Sequence, residues 1–124
     1  MNKEYRFSEE EVKDRNKSKD YIYVLVRLDL SLEQQLVQAC HASACAGESF
    51  GGSKNSMVLL GVNNKEDLIE IAESFSLKNL EYELFFEPDW DTGYSALATA
   101  PIKGKNRWRV KNILKNKGVE LWKS

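Results

Sequence analysis

Four groups of side chains carry chemical potential. The run Glu87–Tyr94 (EPDWDTGY) places Glu87, Asp89 and Asp91 within five residues. Three carboxylates so close can hold a hard cation or supply a general base; a solvated loop rich in Asx turns would use the same residues. A second group is Arg27, Asp29, Gln34 and Gln38. Arg27 and Asp29 alternate with Leu28 and Leu30 at the end of an apolar run. In open α/β sheets, ligands bind beyond the carboxyl ends of parallel strands. The pair therefore either belongs to a site or pins a turn as a structural ion pair. His41 is the only histidine, and no Ser-His-Asp arrangement can be argued from spacing. Cys40 and Cys45, five apart on an expected helix, point roughly 140° away from each other. They neither bridge nor readily share a metal there, which leaves them buried or half-buried packing roles. One His and two Cys are too few for a structural zinc site or a disulfide framework. No Gly-rich phosphate loop is present.

The elements that must position these groups are legible from periodicity. Tyr21–Leu28 (YIYVLVRL) is nearly continuous in apolar and β-branched character, as in a central strand covered on both faces. Leu32–Phe50 reads as a helix, with Ser31 as N-cap and Gln34 at capping-box spacing. Its apolar face is expected at Leu36, Val37, Cys40, Ala44 and Gly47, and its many small residues allow close approach to a sheet. Gly51-Gly52 ends the unit. Ser56–Val62 is a second strand. Asn64 caps a helix over Lys65–Ser74 that turns Leu68, Ile69, Ile71, Ala72 and Phe75 inward. Glu81–Phe86 and Ser95–Ala100 are strands flanking the acidic loop. Arg107–Lys117 is the last helix, stopped near Gly118. The order β-α-β-α-β-β-α implies a three-layer α/β/α sandwich.

With 124 residues, the chain fits one domain. Residues 1–20 show no sustained apolar period and read as a flexible or loosely docked arm; a short helix near Ser8–Lys13 has Ser8 and Glu11 as a capping box. Residues 21–124 form the domain. Hydrophobic residues at 42% and charged residues at 30% fit a globular protein. No apolar run approaches the roughly 18 residues of a membrane span, and the polar N-terminus does not read as a signal peptide. These features point to a cytoplasmic, reducing setting. Charge is uneven. Residues 1–99 hold 10 basic and 18 acidic side chains, whereas 100–124 hold 8 basic and 1 acidic. A basic tail on an acidic body suits a polyanionic partner, or simply a solvated helix with a basic C-terminal end.

Two runs carry a resemblance. Arg27-Leu28-Asp29-Leu30 followed by Gln38-Ala39-Cys40-His41-Ala42 resembles the signature of the type 2 peptidyl-tRNA hydrolase family, an R-x-D-L strand end followed by a helix with K-x-x-x-Q-x-x-H-A. Glu87-Pro88-Asp89, then Ser95-Ala96-Leu97-Ala98-Thr99-Ala100-Pro101, resembles the second half of that family in its divergent branch. The likeness spans about residues 21–116. It implies a compact α/β fold with a mixed four-stranded sheet, often homodimeric. It also implies hydrolysis of the ester joining a peptide to the 3′ ribose of tRNA without an obligatory metal or other cofactor. His41, Gln38 and Asp29 match family positions. The family's helix Lys falls on Gln34, which removes a cation that would hold phosphate or stabilise an oxyanion. The family's catalytic Asp falls on Glu87, with Asp89 and Asp91 as alternatives, and its strand Thr falls on Ser95.

On this reading Glu87 orients or deprotonates water, with Asp29 and His41 in the same catalytic group. Ser95 and helix N–H groups support the oxyanion. Gln34 and Gln38 line the substrate cleft. Arg27, Lys103, Lys105, Arg107 and Arg109 hold tRNA phosphates, and Trp90 or Tyr94 stacks on the terminal adenosine. A rival reading keeps the fold and loses the reaction. It is a binding module for an RNA end, a nucleotide-like ligand or a protein partner. A third makes the basic C-terminal helix a docking element for acidic surfaces.

Overall fold

The computed structural model describes residues 2–17 and 19–123. Its centre is β1 (Asp20–Arg27), which pairs in parallel with β2 (Ser56–Val62) from Tyr21 opposite Ser56 to Arg27 opposite Val62. The two are joined through α2 (Leu32–Phe50), whose bounds match those read from the sequence. The Ser31 side chain accepts from the Gln34 N–H at 3.2 Å, so the expected cap forms. After β2, Asn64 accepts from the Asp67 N–H at 2.9 Å and starts α3 (Lys65–Leu77), one turn longer at its C-terminal end than expected. Then β3 (Tyr82–Glu87) and β4 (Gly93–Thr99) form an antiparallel pair, with β4 also antiparallel to β1. The link between them is shorter than the expected eight-residue loop. Glu87 closes β3, and Gly93, with φ 73°, opens β4.

Two short strands were not expected. β5 (Ile102–Lys103) pairs with the start of β1, and β6 (Glu120–Leu121) pairs with β2. The sheet is therefore six-stranded rather than four-stranded, with path β3-β4-β1-β2-β6 and β5 beside β1. Pro101 separates β4 from β5. Where the ladder to β1 lapses, the buried Thr99 hydroxyl accepts from the Tyr23 N–H at 3.0 Å. α4 (Arg107–Leu114) stops short of the expected Lys117, and a turn carries the chain to Gly118, with φ 67°.

The pleat sorts β1 into two cores. Tyr23 and Leu25 join Leu68, Ile71, Phe75, Leu97, Val110 and Leu114 under α3 and α4. Ile22, Val24 and Val26 join Ala39, Ala42, Ala46, Ala96 and Ala98 under α2. Helices thus cover both faces of a mixed sheet. The inward face of α2 differs from the expected one. Gln35, Gln38, Ala39, Ala42 and Ala46 are buried, whereas Leu36, Val37, Cys40, Ala44 and Gly47, expected to face inward, are all exposed on its outer side. Small side chains let the helix backbone approach the sheet, so α2 contributes alanines rather than branched residues to this layer. Cys40 is accordingly exposed instead of buried, and Cys45 is half-buried.

Before the sheet lies α1 (Glu9–Lys17), which extends past the expected Lys13. Its capping box forms in both directions. The Ser8 N–H donates to Glu11 at 2.9 Å, and the Glu11 N–H donates to the Ser8 hydroxyl at 3.1 Å. The exposed arm is tethered by Lys54, which pairs with Glu11 at 3.2 Å and lies over the Phe7 ring. Among the described residues no helix is long and apolar enough to cross a membrane.

Candidate functional site

The polar groups of the α2 face converge on one hydrogen-bonded chain. Ser95 donates its hydroxyl proton to Gln38 Oε1 at 2.6 Å. Gln38 Nε2 donates to Glu87 Oε1 at 2.8 Å and to Gln34 Oε1 at 3.2 Å. Ser95 and Gln38 are both 0% exposed. The Gln38 amide has two donors and an acceptor, and all three functions are used, so its burial leaves no orphan. Glu87, at the last position of β3, is half-buried. Its bond to Gln38 uses Oε1 and takes no part of Oε2.

Strand irregularity makes this convergence possible. The β3–β4 register pairs Phe85 with Ala96 and Phe86 with Tyr94, leaving Ser95 as the extra residue of a bulge. A bulge turns consecutive side chains toward the same side. Ser95 therefore joins Ala96 on the α2 face, while Tyr94 points toward α3. There Tyr94 meets Phe86 edge to face, with ring centroids 5.0 Å apart. Without the extra residue, alternation would place Ser95 and Ala96 on opposite faces.

His41, one turn beyond Gln38 on α2, lies flat on Phe85 at 4.5 Å with an interplanar angle of 3°. His41 is exposed and takes no part in the Gln38 bonds. Arg27 and Asp29 form a separate unit. Arg27 Nε and Nη2 donate to the two Asp29 oxygens at 2.9 Å each, a bidentate pair. Arg27 Nη1 donates to the Thr92 and Tyr94 carbonyls at 2.6 and 3.1 Å. The guanidinium thus clamps the β3–β4 connection to the end of β1. Its hydrogen bonding holds the Asp29 carboxyl below its ordinary value, against a smaller opposing effect of burial. The structural-pin reading of this pair fits these contacts, which direct Arg27 at protein groups rather than outward to a phosphate.

The loop acids separate. Asp89 and Asp91 are exposed in a short 3-10 turn, apart from the Gln38 chain. Among the described residues no three His, Cys, Asp or Glu side chains gather where they could hold a metal ion. Trp90 and Asp91 adopt left-handed φ values of 53° and 54°, a conformation that costs a non-glycine residue strain. The Thr92 hydroxyl donates to the Asp89 carbonyl at 2.8 Å and closes this turn. Trp90 is 82% exposed.

Besides that of Arg27, two expectations change with this geometry. Ser95 cannot present its hydroxyl to an oxyanion, because it is fully buried and its only hydrogen goes to Gln38. Its role is to position Gln38. The basic residues of the C-terminal segment also lie apart from Glu87. Lys103 is opposite Asp20 at the start of β1, whereas Arg27 and Asp29 stand at the far end of that strand. Arg107 donates to the Tyr23 hydroxyl at 2.7 Å and stacks on Tyr21, both on the α3–α4 side. That bond favours its charged form. Arg109 donates to the Lys78 carbonyl at 2.6 Å.

Sequence reasoning passed over Gln35. Its amide donates to the Leu28 and Leu30 carbonyls at 3.3 and 2.8 Å, and its oxygen accepts from the Trp122 indole at 2.8 Å. It ties the turn before α2 to the C-terminal strand. The signal available was its spacing of three from Gln38, which puts both glutamines on one helix face.

No family model and no curated protein matches the chain. Among solved structures it is similar to a protein of unknown function from Agrobacterium tumefaciens. The two share 18% identity with a TM-score of 0.63, over 86% of this chain and 98% of that one. At such identity the likeness bears on the fold alone: the chain has a mixed α/β architecture shared with that protein.

Proposed function

We propose that the protein hydrolyses the ester linking a peptide, or an N-blocked amino acid, to the 3′ ribose of tRNA. The observation that carries this reading is the Ser95–Gln38–Glu87 chain. A buried amide, itself fixed by a buried hydroxyl, holds one oxygen of a half-exposed carboxylate and leaves the other outside the bond. Such an arrangement orients a base while keeping it in contact with water. Water attacks the ester carbonyl as Glu87 takes its proton. The tetrahedral intermediate then collapses, the ribose oxygen leaves and regains a proton, and a peptide acid and free tRNA result. The motif resemblance at Arg27–Leu30 and Gln38–Ala42 supports the same substrate, with a type 2 peptidyl-tRNA hydrolase-like sandwich as its scaffold. This reading carries a cytoplasmic setting and a homodimer. The exposed Leu32, Leu36 and Val37 on α2 offer apolar surface for a second copy.

Hydrolysis of a labelled N-acetyl-aminoacyl-tRNA tests the reaction. Wild type turns over, and Glu87→Ala loses turnover while keeping its tRNA affinity. Loss of both together in Glu87→Ala contradicts the assignment.

One observation favours a non-catalytic binding module for an RNA end or nucleotide-like ligand. The family's helix Lys is Gln34 here, and Gln34 already accepts from Gln38. Gln34→Lys separates the readings. A weak hydrolase gains rate, whereas an adapted binding pocket gains none.

A further inference from the structure

The strongest unexplained chemistry lies on α4, away from the Glu87 cluster. Residues 100–124 hold 8 basic side chains and 1 acidic one. Val110 and Leu114 are buried against the α3 side of the sheet. At about 100° per residue, Arg107, Lys111 and Lys115 then run along one flank of α4, and Arg109 lies on the other. Trp108 projects between these flanks and is 60% exposed, although nothing about the core requires an indole there. Trp108 also borders a cleft of about 260 Å³ with Lys78, Arg109, Asn112 and Ile113. Arg109 bonded to the Lys78 carbonyl fixes one wall of that cleft. Exposed Lys105 precedes the helix. An exposed indole bracketed by cations unites a surface for stacking with charges that can neutralise phosphates.

We infer that α4 is a docking surface for single-stranded RNA, with a base stacked on Trp108 and phosphates held by the exposed Lys78, Lys105, Lys111 and Lys115. An apolar protein partner would leave this charge unmatched, and an acidic protein would not require the indole. The choice of RNA over DNA rests on the tRNA reading above; the surface itself rests on Trp108 and the charge distribution. Its place on the other face of the sheet makes it a second contact for RNA outside the reacting centre.

The test is fluorescence anisotropy of a labelled oligouridylate of about twelve nucleotides, using the full chain at about 50 mM salt. Wild type should bind. Trp108→Ala should weaken binding roughly tenfold, with Trp108→Phe recovering most of the loss. Lys78→Ala with Lys105→Ala should lower the dependence of log affinity on log salt by about 0.7 per lysine. These positions are exposed, so unchanged melting temperatures should accompany the losses. Absence of binding by wild type, equal binding by Trp108→Ala, tighter binding of oligothymidylate, or equal competition by polyglutamate each overturns the proposal. Because the probe carries no aminoacyl ester, this result is independent of hydrolysis. Oligouridylate binding without ester hydrolysis defeats the enzyme reading alone, and hydrolysis without oligouridylate binding defeats this surface alone.

Discussion

The two faces of the sheet are built from different materials. Under α3 and α4 the core is large and apolar, with Leu25, Leu68, Ile71, Phe75, Leu97 and Val110 fully buried. Under α2 the apolar layer is mostly alanine, and Gln38 and Ser95 are as deeply buried as any leucine on the other side. Large apolar side chains stabilise by removing area from water. Buried amides and hydroxyls bring little net stability and are costly when unpaired. The α3–α4 face thus secures the fold, while the α2 face spends part of its interior on holding Glu87.

Truncation on the apolar face should have the largest effect. Phe75→Ala is expected to cost about 3–5 kcal/mol, because the cavity adds to the lost transfer energy; urea unfolding measures it. On the polar face the cost depends on which partner is left behind. Gln38→Leu removes all three side-chain bonds and should destabilise by about 1–3 kcal/mol, since the buried Ser95 hydroxyl loses its acceptor. Adding Ser95→Ala to Gln38→Leu should restore part of that stability. A double-mutant cycle by chemical denaturation reads this coupling, and simple additivity would show that the chain does not act as a unit.

The smallest effect belongs to the Arg27–Asp29 pair, because Asp29 keeps 41% of its side-chain surface exposed. Screening limits such a pair to at most about 1 kcal/mol. The folded-state pKa of Asp29 lies below its ordinary value of 3.8. Its contribution is therefore present above that ordinary value and is lost as pH falls through the lower folded one. Wild type should melt above Asp29→Asn at pH 6, and the difference should shrink as acidification carries the pH below the ordinary 3.8 and through the lower folded-state value. A gap that widens on acidification would reverse this account.

Local signals in the sequence located most elements well. Ser31 and Asn64 are true N-caps, and the bounds of α2 and β2 follow from periodicity and β-branching. What periodicity could not supply was the direction of α2. Leu36 and Val37 look like core residues, yet the sheet receives Gln35, Gln38 and the alanines. Close helix-to-sheet approach and hydrogen bonding to distant Glu87 and Ser95 decide that face, and both partners lie about 50 residues away in sequence. β5 and β6 are two residues each, too short for alternation to register. Glu87 and Gln38 stood out as separate candidates; their union depends on a bulge at Ser95 that no local motif announces. The basic C-terminal segment was visible as charge, but its separation from Glu87 depends on strand pairing.

The central claim is that the buried amide exists to aim Glu87. Initial rates on N-acetyl-aminoacyl-tRNA, wild type beside Gln38→Leu, test it most directly. The account predicts that kcat falls on the order of tenfold to a hundredfold as the carboxylate loses its fixed position, while KM stays close to wild type. Full kcat in a folded Gln38→Leu would contradict it and leave the buried chain a structural feature alone.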